Sequence, residues 1–290
     1  MGTLTPAPPR RRVGRLVVRW MVFLGLIYLG VVIVFSLLES TLVFHPSSVE
    51  RSWLDPVDAR TQDIDLTDAT GTRLHGWWLP PASPGAGAVL VAHGKGGNVS
   101  HRGRLAANLH RVLGAGVLLI EYPGFGKSEG TPSESGCYAA GDAGYRWLTD
   151  EAKVPPGRVL LLGESLGGGV AVDLATRHDH RALVLLCSFT SLPAAAKNRY
   201  PWLPTHTMMR ARFDNLAKIG QCHRPVLLIH GTADEVVPFV QAEQLLSAAN
   251  EPKELCRLEG VGHNLLVLDG YFGSLAEWLE GLDKSSRPRR

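Results

Sequence analysis

Gly163, Glu164, Ser165, Leu166 and Gly167 form the pattern G-x-S-x-G, directly after the apolar run Leu160, Leu161, Leu162 and ahead of Gly168, Gly169 and an apolar helical stretch. A serine hydroxyl is a weak nucleophile, and a strained strand-to-helix turn presents its oxygen clear of neighbouring side chains. Glycine on both flanks makes so sharp a turn sterically possible. Candidate partners follow in the order acid, then histidine: Asp234 comes after the apolar run 226–229 and His230-Gly231-Thr232-Ala233, and His263 after Gly260-Val261-Gly262. In that chemistry the histidine takes the serine proton and later protonates the leaving group, while the carboxylate fixes the tautomer and stabilises the imidazolium.

Eleven histidines compete for the role of base. His93 and His230 sit in His-Gly pairs at strand ends, where an imidazole braces a turn by hydrogen bonding. His178 and His180 flank Asp179, a trio read either as metal ligands or, preferably, as a solvated loop. Asp234 is preferred over Glu235 as the acid because it directly follows the tight turn, whereas Glu235 leads toward a helix starting near Phe239. Asp214 reads as a helix-end charge and Asp269 as a surface residue. Acyl transfer also needs donors for the oxyanion, and the backbone N–H of Leu166 is one. The second is expected from the N–H of Lys95, in the loop His93-Gly94-Lys95-Gly96-Gly97-Asn98. A phosphate-cradling loop is the alternative there, but the Walker pattern is absent.

These residues need a scaffold that ends several strands side by side. Strand candidates recur at 61–66, 73–78, 88–92, 117–121, 159–163, 182–186, 226–229 and 255–258. From the third onward they alternate with helical stretches, including 166–176, which predicts a mostly parallel eight-stranded sheet flanked by helices. The candidate residues all lie just past carboxyl ends of strands, where open α/β sheets collect their sites. Segment 190–219 is longer than a crossover helix requires and reads as a short helical cap. Its Tyr200, Pro201, Trp202, Leu203, Pro204, Met208 and Met209 would either line an apolar acyl pocket or bury the cap against the sheet. Cys137, Cys187, Cys222 and Cys256 show no metal-ligand spacing, so neither a metal nor another cofactor is expected. Buried free thiols are expected, with a Cys222–Cys256 bridge as the alternative outside the cytoplasm.

A different material precedes this domain. Arg10, Arg11, Arg12, Arg15 and Arg19 lead into 20–38, a stretch of about 20 residues with no charge, enough to span a bilayer as a helix. The positive-inside tendency puts the N-terminus in the cytoplasm and the catalytic domain on the periplasmic or lumenal side. No good A-x-A-like cleavage site follows, which favours an uncleaved signal anchor over a signal peptide. The expected organisation is a basic cytoplasmic tail (1–15), a transmembrane anchor (16–38), a juxtamembrane linker (39–60), the catalytic domain (61–283) and a basic tail (284–290). Both extreme ends, 5–9 and 285–290, are expected to be disordered. The net charge is +3, and no basic stripe with interleaved aromatics supports nucleic-acid binding.

The chain resembles the α/β-hydrolase superfamily, and within it a membrane-anchored group comprising the Bem46-like proteins and α/β-hydrolase domain-containing proteins 13 and 17. The resemblance is carried by VLVAHGKGGN at 89–98, EYPGFGKSEGTPSE at 121–134, GESLGGG at 163–169, FTSL at 189–192, RFD at 212–214, HGTADEVVP at 230–238 and GHN at 262–264. Lys95 departs from it, since that position looks like asparagine in much of the group. A backbone donor survives the change, while the ammonium is brought toward the acyl oxygen or a substrate head group. The resemblance implies an α/β-hydrolase fold and a membrane-anchored serine hydrolase, with Ser165 as nucleophile, His263 as base and Asp234 as orienting acid. The expected substrate is a carboxylic ester or thioester, including fatty-acyl ones on lipid or acylated protein, and the N-terminal pattern suits a bacterial inner membrane. A serine peptidase of the same fold, or a non-catalytic membrane-tethered binding protein, are the competing readings.

Overall fold

A computed structural model describes residues 10–265 and 270–285, with side chains described from residue 14 to 284 outside the same gap. It divides into two units, one up to Glu39 and one from Ser40 onward. The first is dominated by one helix, α1 (Arg10–Leu37). Its segment Gly14–Leu37, 24 residues, is long and apolar enough to cross a membrane. The helix therefore already includes part of the expected basic tail, while residues 1–9 and 286–290, with most of both expected disordered ends, lie outside the described residues. So does Asp269.

A short α2 (Glu39–Val43) leads into β1 (His45–Pro46), β2 (Gln62–Thr67), β3 (Arg73–Leu79), β4 (Ala88–Ala92), β5 (Gly96–Gly97), α3 (Gly103–Leu113), β6 (Gly116–Ile120) and α4 (Glu134–Arg146). There follow β7 (Val159–Glu164), α5 (Leu166–Arg177), β8 (Ala182–Leu186), α6 (Leu192–Arg199), α7 (Thr205–Met208), α8 (Asn215–Ile219), β9 (Val226–Gly231), α9 (Val240–Ala248), β10 (Lys253–Leu258) and α10 (Tyr271–Ser285). Eight strands form one sheet in the order β10-β9-β8-β7-β4-β6-β3-β2. Pairing is parallel from β10 to β6, and β3 runs antiparallel to both of its neighbours.

The central strands are buried on both faces, which is why they read as continuous apolar runs rather than alternations. Their side chains still alternate between two cores. Leu90, Leu118, Ile120 and Leu161 face one core, which α4, α5, α8 and α9 cover, and Val89, Val91, Val117 and Leu162 face the other, beneath α3 and α10. Residues 40–60 depart from the expected linker. Phe44 is buried, β1 pairs in parallel with β5, and Asn98 Nδ2 donates to the carbonyls of Ser47 and Ser52. Polar side chains in an unstructured-looking stretch hide this pairing, because its partners lie about 50 positions away.

The turn between β7 and α5 is held by backbone on backbone. A Cβ on Gly163 would fall 2.5 Å from the Gly167 carbonyl oxygen, and one on Gly167 would fall 2.0 Å from that of Ala92. No relaxation of a flexible side chain relieves either clash. Gly163→Ala or Gly167→Ala should therefore lower unfolding stability by about 2 kcal/mol or more, read as a fall in urea midpoint at unchanged m; an unshifted midpoint would contradict the packing described.

Candidate active site

Ser165 occupies the tip of this turn with φ 51° and ψ −112°, a backbone strained for any residue but glycine. Its N–H donates to the Leu186 carbonyl (2.8 Å) and its own carbonyl accepts from the Gly168 N–H (3.0 Å), so the turn is tied to the end of β8. Both expected partners converge on it. His263 Nε2 lies 3.0 Å from Ser165 Oγ, and His263 Nδ1 lies 2.7 Å from an Asp234 carboxylate oxygen. With Nδ1–H donating to the carboxylate, Nε2 is left to accept from the serine hydroxyl.

Asp234 is buried but well supplied with donors. One oxygen accepts from the N–H groups of Val236 (2.9 Å) and Val237 (2.8 Å), and the other also lies 3.2 Å from His230 Nε2. Burial by itself raises the carboxyl pKa, but the hydrogen bonds from His230, His263 and the Val237 N–H outweigh it and hold the group well below the usual carboxylate range. Cys187, at the end of β8 with φ 44°, sits beside this acid. Its burial, with a smaller push from the Asp234 charge, raises the thiol to about 12. Glu235, the rejected alternative, is exposed.

Cys187, His230 and Asp234 bring ligand-type atoms within 4.8 Å of one another, the single such group among the described residues. Their polar atoms are already engaged: His230 Nε2 donates to the Val237 carbonyl (2.8 Å), Asp234 takes the donors above, and the thiol stays protonated. The trio is therefore a support for the acid. His178, Asp179 and His180 form no comparable group, yet they are not simply a solvated loop. His180 is buried, with Nδ1 on the His178 carbonyl, and His178 stacks on Tyr145 while bonding Asp142. All four cysteines are free thiols, so Cys222 and Cys256 form no bridge.

The loop after β4 lies against the turn, because Glu164 accepts from the Gly94 N–H (3.3 Å) and is itself paired to Arg102 (3.1 Å). Arg102 also donates to the Gly96 carbonyl (2.9 Å). Of the two expected oxyanion donors, the Leu166 N–H opens the first turn of α5, where helical N–H groups have no intrahelical acceptor. Lys95 uses its carbonyl to accept from the His45 N–H (3.1 Å), and among the described residues its own N–H has no internal acceptor.

Beneath this loop lies a buried pair that the sequence reading missed. Glu121, fully buried just past β6, accepts from His93 Nε2 (2.9 Å) and from the Val99 N–H (3.0 Å). His93, whose Nδ1 lies 2.7 Å from the Gly94 carbonyl oxygen, braces the turn as its His-Gly setting predicts. A carboxylate directly after an apolar strand was the available signal.

The cap divides between the two readings offered for it. Leu203 is buried and Met209 packs on the core, whereas Trp202 is 52% exposed and Pro201 and Pro204 are exposed. Glu134 ties the cap's far end to α4 by accepting from the N–H groups of Arg212 (2.6 Å) and Phe213 (2.8 Å). Asp214 caps α8 by accepting from the Ala217 N–H.

A doubly wound, mostly parallel sheet whose strand-to-helix turn presents a serine to a histidine and a carboxylate is the architecture of α/β hydrolases. The chain belongs to that family: the model of the alpha/beta hydrolase fold matches residues 87–215. It is 39% identical over 241 residues to the Mycobacterium tuberculosis protein Rv2307c, covering 83% of this chain and 85% of that one. It is 32% identical over 184 residues to alpha/beta hydrolase domain-containing protein 17B of Xenopus laevis, covering 63% of this chain and 62% of the relative. The esterase Pf2001 of Pyrococcus furiosus has a similar fold, with TM-score 0.63 at 18% identity over 83% of this chain and 97% of its own.

The low pKa of Asp234 has a consequence for stability. A carboxyl depressed by folding contributes stability that is present above its unfolded pKa, about 4, and is lost as pH falls through the folded value. Between about pH 4 and pH 2, the denaturation midpoint of the unaltered protein should fall more steeply than that of Asp234→Asn. Parallel falls would mean that the carboxylate is not held in the ionised state described.

Proposed function

We propose that this protein is a membrane-anchored serine hydrolase that cleaves a carboxylic ester or thioester through an acyl-enzyme on Ser165. The observation that carries this reading is the continuous hydrogen-bonded line from Ser165 Oγ through His263 to Asp234, at 3.0 and 2.7 Å. Family membership and the esterase named among the fold's relatives support it.

Ser165 Oγ attacks the acyl carbonyl carbon as His263 Nε2 takes its proton, and Asp234 stabilises the resulting imidazolium. Negative charge gathers on the carbonyl oxygen, which the N–H groups of Leu166 and Lys95 receive. Collapse breaks the bond to the leaving alcohol or thiol, which takes the proton from His263. Water then attacks the acyl-enzyme with His263 again as base, releasing the acid and restoring Ser165.

The apolar helix of 24 residues serves as the anchor. The arginines ahead of it favour a cytoplasmic N-terminus and a catalytic domain on the periplasmic side of a bacterial inner membrane. A short cap with an exposed Trp202 suits lipid or acylated-protein substrates of fatty-acyl type.

A fluorophosphonate probe should label the full-length protein and not Ser165→Ala. Against a panel of esters and thioesters, Ser165→Ala and His263→Ala should lose roughly 10⁴-fold or more in kcat, and Asp234→Asn should lose comparably or less. Equal labelling of Ser165→Ala would sink the assignment.

A further inference from the structure

Among the described residues, two cations on segments bordering this site, Lys95 and Arg199, have no counter-ion. Lys95 belongs to the loop that Glu164, the neighbour of Ser165, holds through Gly94. Arg199 ends α6, which is fastened to the acid loop where Asn198 Nδ2 donates to the Glu235 carbonyl (3.1 Å), one residue beyond Asp234. Lys95 thus lies on a segment joined to the neighbour of Ser165, and Arg199 on one joined to the neighbour of Asp234. They are also close enough to feel each other: partial burial lowers the pKa of Lys95, and the charge of Arg199 lowers it further.

The surrounding cations are engaged in a way these two are not. Arg102 is paired to Glu164, Lys197 donates to the carbonyls of Pro201 and Leu203, and Arg212 donates to that of His206. Among the described residues, neither the Lys95 ammonium nor the Arg199 guanidinium has a hydrogen-bond or ion-pair partner, and Glu235 forms an ion pair with neither. From Thr190 to Phe213 the cap carries no acidic residue that could supply one. Two like charges left together repel, and an anion between them turns that repulsion into two attractions.

The geometry points to an anion-binding subsite, formed by Lys95 and Arg199 beside Ser165, that selects acyl substrates bearing a carboxylate or phosphate near the scissile bond. This deepens the hydrolase reading and rests on it. Lys95 then serves twice, with its backbone N–H toward the oxyanion and its ammonium toward the substrate's charge. Arginine supplies a planar fork suited to either oxyanion, and lysine a point charge.

The test uses full-length protein in neutral detergent and two matched substrate pairs. One pair is a neutral and a carboxylate-terminated 4-nitrophenyl ester of equal acyl length; the other is a 1-acylglycerol and its 3-phosphate. An anionic member of at least one pair should exceed its neutral partner about tenfold in kcat/KM, the worth of one charge-assisted contact. Which pair responds tells carboxylate on the acyl side from phosphate on the alcohol side. Raising salt should erode the preference, since exposed charges are screened. Lys95→Gln and Arg199→Gln should each reduce the anion-to-neutral ratio severalfold, while Lys95→Arg retains it; taking the ratio within each variant removes any general loss of activity. Ser165-dependent turnover without anion preference in either pair, or with a preference that survives salt and both glutamine variants, would overturn the subsite and leave the hydrolase reading standing. Absence of Ser165-dependent turnover would instead remove the hydrolase reading. The subsite is then judged by calorimetric binding to Ser165→Ala, where tighter binding of the anionic esters supports it and equal binding refutes it.

Discussion

The structure around Ser165 depends on the contact of two backbones, the first turn of α5 against the end of β4. With no side chain at Gly167, that turn sits on the Ala92 carbonyl, where even a methyl group would lie 2.0 Å away. This approach brings the loop after β4 beside the turn that carries Ser165, close enough for the Glu164 carboxylate to reach the Gly94 N–H. The strained φ of Ser165 is then held from three sides: by the Leu186 carbonyl, which accepts the Ser165 N–H, by the helix it starts, and by the Glu164–Arg102 pair at the neighbouring loop. A strained conformation persists only where its surroundings over-determine it, and here they do.

The acid side of the site is built on a different principle. Asp234 is buried, which by itself would neutralise a carboxyl, and the fold answers with donors rather than with a fixed cation. Two backbone N–H groups and two imidazoles face its two oxygens. His230 and Cys187 are thus parts of the environment of Asp234. Orientation follows from the same contacts. With one carboxylate oxygen occupied by Val236 and Val237, the other is left to His263.

The central strands were legible because a strand buried on both faces must be a continuous apolar run, and the strand candidates fall within about two residues of the observed elements. The order Ser165, Asp234, His263 was legible because each follows a strand end, and parallel strands bring their carboxyl ends together. What stayed hidden is polar and long-range. Nothing local in Glu121 says that His93 waits 28 positions away, and nothing in His45-Pro46 says that it pairs with Gly96-Gly97. His180 misled for the same reason: a His-Asp-His run between a helix and a strand looks solvated, yet His180 is buried with Cys222 Sγ beside its ring.

The cap shows how such hidden contacts bear on access. It is short, it is braced internally where Thr205 Oγ1 donates to the Pro193 carbonyl, and it is fastened outward where Asn198 reaches the loop after β9 and Glu134 holds Arg212 and Phe213. Phe213 in turn fills the space over Gly169, where a Cβ would come within 2.4 Å of its ring. A segment pinned this often has little freedom to swing as a unit, so the chemistry of entry falls to the side chains on its rim. Among these are the exposed indole of Trp202 and the exposed Arg199 guanidinium, which has no ion-pair partner among the described residues. If the proposed subsite holds, a single exchange such as lysine for asparagine at position 95 alters the charge offered to a substrate without disturbing the turn that carries Ser165.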